Sequence, residues 1–323
     1  MLASTVPVVN PWQFQAHPEV WLLIAFLVGA YVYMVRVIGP HAVGPGERPV
    51  NAQQVACFAG GVGLLWMGSD WPVHDIGEDY LYSVHMFQHM VFSYFVPPLL
   101  LMSLPAWMAR TLLGTGRGFR AGAWLSKPVI AGVSFNLLVM VTHIPVVVNA
   151  STTNGGLHYA LHAMVVTLAL LMWVPVVGPI KEWQMGPGGK CIYLFLMSVV
   201  PTVPAGWLTF AEGAVYKHYD QPWRVWGVNV TDDQQIAGAI MKIGGASYLW
   251  AITIYLFFKR FGAGFEMENT YVRTKVADPV PVPDAALAGE PHAGEPELTY
   301  EQVTAAFERS GPPLQESEQS TRD

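Results

Sequence analysis

Charge is what this sequence has least of. Asp, Glu, Lys and Arg together make up 12% of its 323 residues, where a soluble globular domain carries about 25%. With mean hydropathy positive and 52% of residues apolar, the chain reads as a membrane protein. Cysteine is nearly absent: Cys57 and Cys191 are the two present. They have neither CxxC spacing nor a partner suited to a disulfide framework, so packing as small apolar residues is their expected role. The start, MLASTVPVVNPW, has no basic residue ahead of its apolar positions and no separate short apolar core. No cleavable signal peptide is expected there. The glycine-rich stretches GTGRG (114–118) and GPGGK (186–190) lack the preceding strand and the spacing of phosphate-binding loops. No Ser/His/Asp triad and no nucleic-acid-binding pattern is present, and enzymatic catalysis is not expected.

What is present is long apolar runs. A span needs roughly 20 apolar residues, and seven segments qualify, at about 19–38, 52–69, 81–103, 128–149, 157–179, 189–212 and 234–258. The expected fold class is all-α: a polytopic membrane protein with seven transmembrane helices in one bundle. Lys and Arg are retained on the cytoplasmic side. Arg36 and Arg48 flank the first connection, Arg110, Arg117, Arg120 and Lys127 the third, Lys181 and Lys190 the fifth, and Lys259 and Arg260 follow the last span. The opposite loops offer Lys217 and Arg224. This bias puts the N-terminus outside and the C-terminus in the cytoplasm. Three regions result: a short extracytoplasmic N-terminus (1–18), the bundle (19–260) and an acidic tail (261–323). The tail is rich in Pro, Ala and Glu and is expected to be largely disordered. Within it, Thr299 and Gln302 have capping-box spacing and predict one short helix.

The stretch LYSVHMFQHMVFSYFVPPLLLM, Leu81 to Met102, organises the chain. His85 and His89 stand four residues apart in a helix and so project from one face. LHYALHAM supplies a second such pair, His158 and His162, and the stripe Asn136, Met140, His143 adds a fifth histidine. With the charge-derived orientation, all five lie at matching depth in the outer leaflet. Of ten histidines, His17, His74 and His218 also fall on or near that side. Ionisable groups in hydrocarbon are costly unless partnered and mark functional sites by default. Imidazole suits copper, zinc and iron, and thioether favours Cu(I). The candidate metal ligands are His85, His89, His143, His158 and His162, with His74, Asp233, Lys242, Met86 and Met140 as possible accessories, and the donor set leaves copper, zinc and iron open.

Glycines Gly60, Gly61 and Gly63 in the second segment predict close helix approach, and Pro97 and Pro98 predict a kink in the inner half of the third. Asp70, His74, Asp75, Glu78 and Asp79 form an acidic outer loop in which the carboxylates are expected to be solvated. Asp232, Asp233, Gln234 and Gln235 are placed to cap the first turn of the last span. Lys242 lies roughly 13 Å down that helix at 1.5 Å per residue. A charge there costs about 2.5–3.5 kcal/mol, so it is expected to face the bundle and pair with Asp233 or Glu212.

HMFQHM at His85 to Met90, LHYALH leading to WVPVVGP at Trp173 to Pro179, PAGWLTFAEGAVYKHY from Pro204, and DDQQIAGAIM from Asp232 together resemble the CtaG family of bacterial cytochrome c oxidase assembly proteins. The resemblance covers about residues 15–260 and excludes the tail. It implies a multi-pass protein of the bacterial inner membrane that helps build a haem-copper oxidase, delivering or inserting copper, with oxidase subunits or copper chaperones as partners. Lys242 departs from it, since an aromatic residue is expected after Met241. Other classes stay open: a b-type haem cytochrome using facing histidines, a retinal-binding seven-helix protein using Lys242, and a structural scaffold.

Overall fold

The computed structural model describes residues 10–277. The chain divides into a large unit, Met1–Gly264, and a C-terminal unit, Phe265–Asp323. Of the second, the described part is the end of a helix that runs to Ala277, past the boundary expected at residue 260. The short helix expected near Thr299 and Gln302, like the rest of the tail, lies outside the described residues.

The large unit is helical, with no strand among the described residues. Its first helix, α1 (Pro18–Ala42), is followed by α2 (Ala52–Ser69), the short α3 (Val73–Asp79) and α4 (Tyr82–Ser103). Then come α5 (Ala106–Leu113), α6 (Arg117–Leu125), α7 (Pro128–Thr142), α8 (Pro145–Thr153) and α9 (Gly155–Val177). Two more complete it: α10 (Pro187–Phe210) and α11, which begins at Val230 and has its apolar stretch over Val230–Arg260. Among the described residues, α1, α9, α10 and α11 are long and apolar enough to cross a membrane. Taking the pairs α4 with α5, bent by 98°, and α6 with α7, bent by 69°, as one span each brings the count to six. The seven expected from the sequence include α2, which has the length. Gln53, Gln54 and its glycines make it less apolar than the others.

The segment at 128–149 is not one continuous helix. Ile144 takes an extended conformation before Pro145, as proline imposes on the residue preceding it. α7 therefore stops at Thr142, with His143 as its C-cap, and α8 starts anew. α7 and α9 still pack side by side.

A π turn over Val91–Phe95 precedes Pro97 and Pro98, which stand at the start of the final α-helical turns of α4. Pro97 and Pro98 stand four and five residues after Ser93 and both lack an N–H. They leave the Ser93 carbonyl without a helical donor, and the Trp173 indole of α9 supplies one at 2.9 Å. Trp173 is buried in the inner core with Phe135, Met172, Leu194 and Leu249, which ties α4, α7, α9, α10 and α11 together.

Small residues set the close approaches. A Cβ on Gly61 would meet Leu100 at 2.9 Å, and one on Gly68 would meet Phe92 at 2.7 Å, so α2 lies tight along α4. Gly63 has open space and does not take part. Gly238 of α11 lies against the backbone of Ala205 and Thr209 in α10.

Candidate functional site

The outer half of α4 is held from both sides. At its start, the buried Asp233 of α11 accepts hydrogen bonds from the backbone N–H groups of Tyr82 at 2.7 Å and Ser83 at 3.0 Å. Asp233 was expected to cap its own helix. That cap is Asn229, which accepts from Asp232 N–H at 2.9 Å, and the carboxylate is free to anchor the histidine helix. Negative charge at a helix N-terminus is favourable. α3 sits on the same turn, because Gly77 comes within 3.0 Å, measured from an added Cβ, of the His85 backbone. Tyr219 fixes α3 further by donating its hydroxyl to the Gly77 carbonyl at 2.9 Å.

On this frame His85 and His89 face His162 of α9. Their ring centroids lie 4.6 Å apart for His85 and His89, 5.4 Å for His85 and His162, and 4.9 Å for His89 and His162. One ligand nitrogen from each falls within 4.8 Å of the others. His85 Nδ1, His89 Nε2 and His162 Nε2 are buried and have no hydrogen-bond partner within the chain. Imidazole nitrogens bind zinc-sized ions at about 2.0–2.1 Å, so small ring rotations bring all three onto one ion.

His158 does not join that trio. It belongs to a second group with His74 and Glu78, whose ligand atoms also lie within 4.8 Å of one another. His74 Nε2 donates to Glu78 at 2.9 Å, and His158 Nε2 lies 3.8 Å from the same carboxylate oxygen. The two groups adjoin through His158 and His162, whose centroids are 4.3 Å apart. His143 lines the same cleft from α7. Its Nδ1 donates to the Val139 carbonyl at 2.6 Å, and its Nε2 is buried without a partner.

The accessory residues separate. Met86 is buried and lines the cleft, whereas Met140 is not among the residues lining it. The Asn136 amide donates to the Met197 sulfur at 3.1 Å and to the Gly132 carbonyl at 2.9 Å. Lys242 does not form the expected ion pair with Asp233 or Glu212. Its ammonium donates to Thr202 Oγ1 at 2.6 Å and to the Ser198 carbonyl at 3.5 Å, beside the turn at Val200 and Pro201 that interrupts α10 between Val199 and Thr202. It sits in a π turn, Ile240–Gly244, a feature that frequently occurs at functional sites.

Three residues near the site lay outside the expected ligand set. Glu78 was expected to be a solvated loop carboxylate, yet it faces two histidines. Its i,i+4 spacing from His74 was the available signal. Burial pushes its carboxyl up, but the His74 hydrogen bond and the fields of His158, His74 and His218 outweigh that and hold it below its ordinary value. Gln88, 1% exposed, donates to His74 Nδ1 at 3.2 Å and to the Gly68 carbonyl at 2.6 Å. His17 Nε2 donates to Asp75 at 2.8 Å and its Nδ1 to Glu19 at 3.3 Å. Burial lowers His17, and the two carboxylates outweigh it, so its value lies above the ordinary one.

No curated protein and no solved structure matches the chain. A family model does, over residues 29–262, a region that contains α2 to α10 and every histidine of both groups. The chain belongs to the cytochrome c oxidase caa3 assembly factor (CtaG) family.

Proposed function

We propose that this oxidase assembly factor binds copper at His85, His89 and His162, with His143 and His158 on the walls of the same cleft, and passes the ion on to the oxidase. Copper is here cargo rather than a resident cofactor. The observation that carries the reading is that His85, His89 and His162, from two helices, each bring a ligand nitrogen within 4.8 Å of the others and each hold a buried ring nitrogen without a partner. Unsatisfied buried polar atoms cost free energy, and neutral imidazoles are the ligands that copper takes without burying a charge on the protein. Oxidase subunits or a copper chaperone are the partners this role needs.

The reading includes a topology. α2 joins the spans to make seven, the N-terminus lies outside a bacterial inner membrane, and the C-terminus lies in the cytoplasm. The histidines then sit on the extracytoplasmic side. A reporter fused after Lys259 is expected to be active only as a cytoplasmic reporter, and one between Ser151 and Gly156 only as an extracytoplasmic one. The reverse pattern would move the site to the other face.

The direct test is copper stoichiometry of wild type beside His85→Ala/His89→Ala and His158→Ala/His162→Ala, with oxidase activity in cells grown on low copper. Wild-type copper content in the variants, with a copper-loaded oxidase still assembled, removes the chemical basis of the proposal.

One observation favours a second reading. An apolar groove of about 570 Å³, lined by Leu23, Leu27, Phe92, Val166 and Leu170, also has His74 and His162 in its wall, which is the kind of setting a b-type haem uses. Purified protein would then be red with a Soret band. A colourless protein that binds copper decides for the first reading.

A further inference from the structure

Four of the five histidines expected to form one cluster are divided between two sets of donors of different chemistry, and His143 belongs to neither. The inner set is all imidazole. The outer set, His74, Glu78 and His158, adds a carboxylate, and it is built as ligand sites are built. His74 and His158 are 4% and 3% exposed, while Glu78 keeps 26% of its side chain open. His158 Nε2 is buried and has no hydrogen-bond partner, yet it points to within 3.8 Å of Glu78. His74 is fixed from behind by the Gln88 amide, and a metal-ligating histidine is commonly oriented through its other ring nitrogen in this way. Glu78 is fixed from behind too, since His218 Nε2 donates to its carbonyl at 3.0 Å.

We propose that His74, Glu78 and His158 form a second metal site, separate from the three-histidine set and suited to a divalent cation of the Cu(II) type. Two imidazoles and a carboxylate are borderline donors, and among first-row divalent ions such a set holds Cu(II) most tightly. The carboxylate matters for charge. It cancels part of a dication's charge in a poorly solvated place, which the neutral inner trio cannot do. His74 Nε2 exchanges its hydrogen bond to Glu78 for the metal, and the ring proton moves to Nδ1. Gln88 Oε1, buried and unpartnered, accepts it after a turn of the amide that gives up the bond to the Gly68 carbonyl.

The two sets are about one helical turn apart on α9, from His158 to His162, a rise of about 6 Å at 1.5 Å per residue. The second site stands on its own residues; its place as the outer of two positions rests on the copper reading of the inner trio. An ion held at Glu78, the most open of these ligands, has a path of imidazoles leading inward.

The test uses the full chain, purified in detergent with any affinity tag removed and titrated with Cu²⁺ alone, with electron paramagnetic resonance on the bound ion. Wild type is expected to bind two equivalents. Glu78→Gln and, separately, His74→Ala are expected to bind one, with loss of the signal from the mixed nitrogen and oxygen site. Glu78→Gln keeps an oxygen to accept from His74, so the metal-free packing is retained. The affinity loss at that site should exceed the about 10–100-fold typical of removing an outer-shell partner. His85→Ala/His89→Ala should keep the mixed site and lose the other. If Glu78→Gln and His74→Ala both bind copper as wild type does, while His85→Ala/His89→Ala does not, the second site is overturned and the three-histidine reading stands. If they lose copper while His85→Ala/His89→Ala loses none, the second site stands and the three-histidine reading falls.

Discussion

Asp233 offers the sharpest test of how the histidine helix is held. Its side chain is 2% exposed, and its two oxygens accept from Tyr82 and Ser83, at 2.7 and 3.0 Å, the first free N–H groups of α4. Asp233→Ala leaves both donors buried with no acceptor, at about 1–3 kcal/mol each. Removing a buried carboxylate also removes its desolvation cost, which offsets part of that loss. The expected net destabilisation is therefore about 2–3 kcal/mol, above the about 0.5–2 kcal/mol of an ordinary exposed cap. Asp233→Asn keeps one acceptor and turns its NH₂ toward the other N–H, so an intermediate loss of about 1–2 kcal/mol follows. Reversible unfolding in mixed micelles at neutral pH, monitored by circular dichroism, measures both. Copper affinity should fall in the same order, because the loosened turn leads directly into His85. If both variants unfold within about 0.5 kcal/mol of wild type, the range of a neutral surface substitution, the anchor does not hold α4 and the reasoning fails.

Trp173→Phe should cost about 1–3 kcal/mol by stranding the Ser93 carbonyl, and Pro97→Ala, which restores an N–H four residues on, should recover part of it in the double variant. Full additivity in the same unfolding assay would show that the two groups do not serve one carbonyl. Gly238→Ala should destabilise by about 1–3 kcal/mol through overpacking, since its Cβ meets backbone at 2.7 Å, whereas Gly63→Ala, in open space, should be neutral or gain up to about 1 kcal/mol of helix propensity. Equal behaviour of the two would remove the packing argument. Lys242→Met should leave insertion intact and weaken the α10–α11 contact at Thr202 while lowering oxidase assembly; unchanged assembly would make the lysine a tolerated departure from its family. His17 should give stability a pH slope. Its folded value lies above the unfolded one near about 6.5, so its contribution is complete below that pH and is lost as pH rises through the higher folded value. His17→Gln should flatten that slope, and an unaltered slope would assign it elsewhere.

Which parts of this were legible in the sequence follows from the range of the interactions. The i,i+4 pairs His85, His89 and His158, His162 are local, and helical periodicity put each on one face. What the sequence did not show was the partition of the histidines. It depends on α3, a helix of seven residues too short to stand out in an acidic loop, which turns His74 and Glu78 toward His158. The Ser93 carbonyl ahead of Pro97 and Pro98 is satisfied by an indole 80 residues away, and no local rule supplies that donor. The break before Pro145 was legible in principle, through the restriction proline places on Ile144, but the apolar character of 128–149 outweighed it in the reading. Lys242 has a similar lesson: its burial called for a partner, and a hydroxyl and a carbonyl met that need where a carboxylate was expected.

The contrast between the site and its surroundings bears on function more than any single distance. Around the cleft, polar groups are matched with care over long sequence separations: Asp233 to Tyr82 and Ser83, Trp173 to Ser93, Tyr216 hydroxyl to the His143 carbonyl at 3.0 Å, and Tyr219 hydroxyl to Gly77. Inside it, His85 Nδ1 and the Nε2 atoms of His89, His143, His158 and His162 are all buried without a partner in the chain. Native structures leave few buried polar groups unsatisfied, and each one calls for an explanation. At about 1–3 kcal/mol apiece, five such nitrogens facing one cleft are a large cost, and Gln88 Oε1, Asn136 Oδ1 and Gln234 Nε2 near it are buried without a partner as well. A chain departs from local consistency where function requires it. Within the cleft the open nitrogens are all imidazole, and the helices that carry them are braced by Asp233 and Trp173, which do not line it. That combination is what a protein needs in order to hold a metal ion and then release it: ligands preorganised by their frame, but not committed to one another.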